Sequence, residues 1–250
     1  MGTGSGDKFC SVLLGEGGPA GMAFTNNFDF TILLFLNRFV GKSRSLDELV
    51  QLLSDAFLFN GVLLVAILWL FWFNDRREEA RVRLLIGGAA AVLAGLLSRL
   101  LQLSLPFHVR PLYNQALSLT WPFGVGRETL SHWSSFPSDH ASLCFALATV
   151  IWMRNRRLGM FAFFWASITS SARVFLGFHY PTDIVGGAVL GILIVILLGR
   201  LPLPRFAYRL LDWERCASPS FYAVALVASY QAGTLFNDVR EIGHLIAGLL

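Results

Sequence analysis

The sequence predicts an all-α, polytopic membrane helical bundle of about five to six transmembrane helices, preceded by an interfacial amphipathic helix. Three observations carry that prediction. The 250 residues are 55% hydrophobic and only 14% charged, whereas a soluble domain carries about a quarter charged residues. Mean hydropathy is +0.59. The apolar residues fall in runs of roughly span length, separated by short loops that hold most of the arginines.

Taken in order, residues 1 to about 24 are glycine-rich and predicted to be loose. Phe28–Val40 is apolar but too short for a bilayer span, which needs about twenty residues, and GKSRSLDELVQLL after it is amphipathic. Residues 25–54 therefore read as interfacial helix. Spans are expected at Ala56 to Phe73, Leu84 to about Phe107, Ser138 to Met153, Leu158 to Leu176 and Pro181 to Gly199. A weaker sixth follows at Phe221 to about Phe236. Between the second and third lies a polar, aromatic loop, 108–136, whose Tyr113, Trp121 and Trp133 suit an interfacial belt. The arginine-bearing stretch 200–220 reads as a loop. No cleavable signal peptide is expected, since the N-terminus lacks a basic start followed by an apolar run.

Arginines set the orientation. Loops after the first, third and fifth spans hold Arg76, Arg77, Arg81 and Arg83, then Arg154, Arg156 and Arg157, then Arg200, Arg205, Arg209 and Arg215. By the positive-inside rule these face the cytoplasm. The net charge of +4 is no nucleic-acid signature, because the basic residues do not line one face. The three cysteines are far apart and form no CxxC, which points to neither a disulfide framework nor a zinc site.

Three polar clusters then fall at one depth on the outer side: His108-Val109-Arg110-Pro111, Phe136-Pro137-Ser138-Asp139-His140, and Arg173 with His179 and Asp183. Intramembrane arginines and histidines are costly and mark functional sites. Pro181 suits the first position of a helix. His179 then lies just outside it and Asp183 in its first turn, able to reach back to one ring nitrogen. Such a histidine is a nucleophile or a base. Two arginines offer forked donors to a tetrahedral oxyanion, the helix start at Ser138 and Asp139 offers backbone N–H groups, and His140 can act as proton donor. Together they suit phosphoryl transfer to water through a phosphohistidine. Two histidines and an aspartate could instead ligate a metal, but a cation beside two arginines would be repelled. The expectation is no metal and no cofactor.

Arg110-Pro111, PSDH at 137–140 and ARVFLGFHYPTD at 172–183 resemble the three signature motifs of the type-2 phosphatidic acid phosphatase and vanadium haloperoxidase superfamily. The resemblance implies His179 as the phosphorylated nucleophile, Asp183 as its orienting partner and His140 as the acid for the leaving group. It implies that Arg110, Ser138 and Arg173 hold the phosphate, with Asp139 standing where the second motif commonly has glycine. That aspartate is similar to the bacitracin-resistance group of undecaprenyl diphosphatases. Two departures stand out. Leu103 occupies the place of the first motif's lysine, and Ala172 the place of the serine before Arg173. Arg99, on the same helical face as Leu103, or else His108, is a candidate substitute for the lysine.

The implied function is hydrolysis of a lipid phosphate at the outer face of the cytoplasmic membrane, with undecaprenyl diphosphate first among substrates. Phosphatidic acid or phosphatidylglycerol phosphate is the nearest alternative. A catalytically silent lipid-phosphate binding or transport protein is the alternative from another class. The bilayer and the lipid are the expected partners, with no nucleic acid. The chain then divides into residues 1–55 (tail and interfacial helix), 56–199 (catalytic transmembrane core) and 200–250 (cytoplasmic loop and extra helix).

Overall fold

The computed structural model describes residues 26–56, 58–127, 129–131 and 133–234, and among these it is all-helical. The expected loose tail at 1–24 and the end of the sixth span, 235–236, lie outside the described residues. Helices run α1 Asn27–Asn37, α2 Arg44–Asp55, α3 Leu63–Asn74 (entered through a π-helical turn, Leu58–Val62), α4 Glu78–Ser104, α5 Asp139–Arg154, α6 Arg156–Phe175, α7 Pro181–Gly199, α8 Arg205–Cys216 and α9 Ser218–Gly233.

The bundle is built around α5. Its interior positions, including Ala141, Leu143, Cys144, Leu147 and Ile151, are buried around its whole circumference, as expected of a helix apolar on every side. Helices α4, α6 and α7 pack on it, and α4 also packs on α7. Asn155 alone joins α5 to α6, and its side chain caps the new helix by accepting from the amides of Arg157 and Leu158. Among the described residues three helices, α4, α6 and α7, are long and apolar enough to cross a membrane; the count rises to four if α2 and the Leu58–Asn74 segment, bent by 59°, form one span. The sequence suggested five to six. The lower count reflects length alone: α5 and α9 have 16 residues each and α3 has 12, below the roughly twenty of a straight span, although α5 runs from His140 at one end of the bundle to Arg154 at the other.

Two expectations are corrected. The interfacial segment 25–54 is two helices, α1 and α2, because the chain turns at Gly41 in the left-handed region (φ +74°) and restarts at Ser43, whose hydroxyl caps α2. Asp47, fully buried, clamps that turn by accepting from the amides of Gly41 and Phe123. The stretch expected as a loop at 200–220 contains α8. Its Ala207 and Leu211 bury against Trp72, Val82 and Phe221, while Arg81 of α4 pairs with Glu214 at 3.2 Å.

Candidate active site

Loop ends and helix starts are stitched together by backbone hydrogen bonds at one end of the bundle. The amide of Ser138 donates to the carbonyl of Asp183 (3.1 Å), so the starts of α5 and α7 touch. Ser135 N–H donates to His108 O (2.9 Å), and Leu112 N–H to Gly177 O (2.9 Å). Gly177 takes φ +73°, a left-handed conformation that glycine adopts without a Cβ penalty. It ends α6 and turns Phe178 and His179 inward, where both are buried. The three sequence clusters thus meet.

His179 is held at both ring nitrogens. Nδ1 lies 2.9 Å from the Ser135 carbonyl oxygen, which can only accept, so Nδ1 carries the proton. Nε2, which then bears the lone pair, lies 3.3 Å from Nη1 of Arg110. The expected partner, Asp183, has Oδ2 3.5 Å from Nδ1. That oxygen accepts from the amide of Tyr180 at 2.8 Å and closes a capping box at the start of α7. The shortest contact that orients the imidazole is therefore a backbone carbonyl, with the carboxylate behind it. Burial first, then the positive charges of Arg110 and Arg173, hold the His179 pKa well below the ordinary imidazole value, so its ring is neutral at pH 7.

Arg110 is clamped among carbonyls: Nε donates to Trp133 O (3.0 Å), Nη1 to Phe178 O (2.7 Å) and Nη2 to Ser134 O (3.3 Å). Burial lowers its pKa to about 10, which leaves it charged at neutral pH. Arg173, in the last turn of α6, reaches Ser54 O of α2 at 3.5 Å. The Ser138 hydroxyl accepts from the amide of Ala141 (3.3 Å) and caps α5. Asp139 accepts from the amide of His140 (2.8 Å), a capping contact that uses one N–H an anion would otherwise meet. His140 is fully buried in the first turn of α5, with Nε2 3.7 Å from Cys144 Sγ.

On α4 the inward ridge is Ala94, Ser98 and Gln102, all buried. Ser98 Oγ and Gln102 Nε2 both donate to Pro137 O, at 3.2 and 2.6 Å. Arg99 bonds Gln102 Oε1 and lays its guanidinium 3.4 Å from the centre of the Trp133 ring. Leu103, expected to share that face, is 70% exposed and points away.

Four contributors were not singled out from sequence. Ser134 and Ser135 act partly through backbone atoms, which no motif displays; Ser135 Oγ also lies 2.6 Å from His108 Nδ1. His108 in turn sits 3.7 Å from Asp183 Oδ1. Gln102 was hidden beside the motif position. Asp29 did leave a signal, a lone acid in an apolar helix. It is buried and accepts from both the amide and the hydroxyl of Thr182 (2.9 and 2.6 Å), tying α1 to the first turn of α7.

Among the described residues, no group of three or more His, Cys, Asp or Glu is arranged to hold a metal ion. A neutral imidazole, two arginines and a helix N-terminus lie at this end of the bundle, groups that can hold an anion beside a candidate nucleophile.

The sequence model of the PAP2 superfamily matches residues 106–206. Undecaprenyl-diphosphatase BcrC of Bacillus subtilis (strain 168) is 26% identical over 155 residues, 62% of this chain and 74% of that protein. Lipid A 4'-phosphatase of Bacteroides thetaiotaomicron is 45% identical over 58 residues, 22% of this chain and 26% of that protein. Among solved structures, a transmembrane PAP2 type phosphatidylglycerolphosphate phosphatase from Bacillus subtilis aligns with a TM-score of 0.47 and 22% identity, covering 68% of this chain and 82% of that one.

Proposed function

With residues 106–206 a PAP2-superfamily segment in a helical membrane protein, we propose that the chain is a lipid phosphatase that hydrolyses undecaprenyl diphosphate through a phosphohistidine on His179. The observation that carries the proposal is the tautomer: the Ser135 carbonyl fixes the proton on Nδ1 and leaves the Nε2 lone pair facing Arg110. Nε2 attacks the terminal phosphorus, and the bond to the bridging oxygen breaks. His140 gives that oxygen its proton. Water, deprotonated by the same histidine, then attacks the phosphorus of the phosphohistidine and releases phosphate, returning His179 neutral. Arg110, Arg173, Arg99, the Ser138 hydroxyl and the amides of the first turn of α5 meet the phosphoryl oxygens, and their positive charge stabilises the oxyanion as it develops. Asp183 steadies the imidazole as it becomes cationic. Asp139 tightens the start of α5. The division into an N-terminal region (1–55), a catalytic core (56–199) and a C-terminal part (200–250) belongs to the same proposal. So does an active site facing the outside of the cytoplasmic membrane, which follows from the arginine-rich loops at the opposite end.

Support for the diphosphate substrate comes from the similarity to BcrC over 62% of the chain. The test is phosphate release by purified protein across undecaprenyl diphosphate, phosphatidic acid and phosphatidylglycerol phosphate. Undecaprenyl diphosphate should give the highest kcat/KM. Turnover should persist in strong chelator and be inhibited by orthovanadate, whose trigonal-bipyramidal form matches the transition state. No turnover of any of the three would leave the lipid-phosphate binding or transport alternative.

The lysine missing from the first motif makes a separate expectation. If Arg99 supplies its charge, Arg99→Ala should raise KM and lower kcat. A charge-assisted hydrogen bond is worth about 1.5–3 kcal/mol, or roughly ten- to a hundredfold. Because Leu103 points away from the site, adding Leu103→Lys should restore nothing. Gln102→Lys, on the inward ridge, should recover part of the loss. Kinetics of the three variants against wild type decide it, and rescue by Leu103→Lys would reverse the assignment of faces.

A further inference from the structure

A cavity lies at the end of the bundle opposite the candidate active site. It has a volume of about 360 Å³ and opens between the ends of α4, α5 and α7, with Ala90, Val150 and Val195 among its apolar walls and Arg77, Arg83 and Arg154 at its mouth. From Arg83 to Arg99 along α4 is sixteen residues, roughly 24 Å at about 1.5 Å per residue. It is thus separate from the phosphate site.

The mouth carries a positive excess. Asp75 is shared by Arg77, at 2.9 Å, and Arg154, and Glu79 pairs with Arg83 at 2.8 Å, so three arginines face two carboxylates. The Arg77 side chain and amide, hydrogen-bonded to Asp75, hold its carboxyl well below the usual range, so that pairing stays ionised. Arg154 Nε nonetheless finds no acceptor within the protein. The walls have the opposite character: Ala90, Val150 and Val195 are buried hydrophobics of the main core cluster, between two helices that are themselves long and apolar enough to span. A soluble anion would use the arginines and leave the apolar walls wet, and a neutral lipid would use the walls and leave the arginines unmatched. An amphiphile with an anionic head uses both. Basic pockets between transmembrane helices on the cytoplasmic side take anionic lipid headgroups for this reason.

We propose that this cavity is a binding site for an anionic phospholipid of the inner leaflet, with its phosphate at Arg83 and Arg154 and an acyl chain against Ala90, Val150 and Val195. The inner-leaflet placement rests on the orientation proposed above. Occupancy does not depend on the phosphatase reading, and it is measured without turnover.

The test is native mass spectrometry of the full chain in detergent, titrated with phosphatidylglycerol, phosphatidylcholine or glycerol 1-phosphate. Wild type should retain one phosphatidylglycerol in preference to phosphatidylcholine. Arg83→Gln should weaken that retention about fivefold, the size expected for one arginine near an anionic lipid surface. Arg83 is half-exposed and its partner Glu79 is also exposed, so this variant should fold; a melting temperature within a few degrees of wild type confirms it. Arg157→Gln, at the same end but not lining the cavity, should leave retention unchanged. Equal binding of the two lipids overturns the proposal, as does equal weakening by Arg83→Gln and Arg157→Gln, which would assign the lipid to general surface charge. Competition by glycerol 1-phosphate as strong as that by phosphatidylglycerol would replace the lipid with a soluble phosphate.

Discussion

His179→Ala should leave at most about a thousandth of wild-type turnover, since removing a group essential to the chemical step costs several powers of ten. The loss should fall on kcat rather than on folding. The imidazole makes three polar contacts, to the Ser135 carbonyl, to Arg110 and, at 3.5 Å, to Asp183, and Arg110 keeps its three carbonyl acceptors without it. Asp183→Asn should lower kcat less, because the closest contact on Nδ1 belongs to Ser135. The pH profile carries an independent signature. As the proposed nucleophile, His179 must be neutral to attack, and its pKa is lowered by burial and by Arg110 and Arg173. A nucleophile with a lowered pKa remains neutral as pH falls through about 6.5 and is lost only below that. The acid limb of kcat/KM assigned to this group should therefore lie well below pH 6.5. In Arg173→Ala, with one of the two depressing charges gone, that limb should move up towards 6.5. Appreciable activity in His179→Ala, beyond a few per cent of wild type, would end the phosphohistidine mechanism.

How much of this was legible in the sequence depends on which atoms did the work. Spans that became α4, α6 and α7 announced themselves because a helix surrounded by lipid or protein must be apolar along its whole length. The meeting of Arg110, His140, His179 and Asp183 at one end followed from the alternation of helices. What failed did so for identifiable reasons. Helix α8 was hidden because its arginines resembled a cytoplasmic loop, although Ala207 and Leu211, four residues apart, form the buried stripe of an amphipathic helix. The face of α4 was misjudged by one position. Residues 99 and 103 are only about 40° apart on a helical wheel, so spacing alone could not say which of them looks inward. The ridge Ala94, Ser98, Gln102 settles it. The Ser135 carbonyl was illegible in principle, since every residue has a carbonyl and only the fold brings one to a histidine.

Gly191→Val should be the most damaging substitution for stability, and it tests the contact that assembles the site. A Cβ at Gly191 would lie 2.1 Å from Ser142 O and 3.1 Å from Ala146 N, and one at Gly187 would lie 2.3 Å from Ser138 O. These are backbone atoms of α5 and cannot swing aside, so any side chain forces α5 and α7 apart. Separation would stretch the 3.1 Å hydrogen bond from Ser138 N–H to Asp183 O, which joins the start of α5, where His140 sits, to the start of α7, which His179 precedes. Overpacking of this kind typically costs about 1–3 kcal/mol and occasionally more. Even Gly191→Ala should lower the melting temperature, against the helix propensity that favours alanine over glycine by about 0.8–1.0 kcal/mol. Gly88 on α4 supplies the internal standard, because a Cβ there meets nothing within 4 Å. Gly88→Ala should therefore show propensity alone and raise the melting temperature. Thermal melts in detergent, with residual turnover measured at a temperature where each variant is folded, separate the effects. Opposite signs for the two alanine variants, together with lost turnover in the surviving Gly191→Ala protein, establish the close crossing as part of the catalytic architecture. A Gly191→Ala protein that melts higher than wild type would mean that the crossing of α5 and α7 accommodates a Cβ, and that the Ser138–Asp183 bond is not what brings the two histidine-bearing segments together.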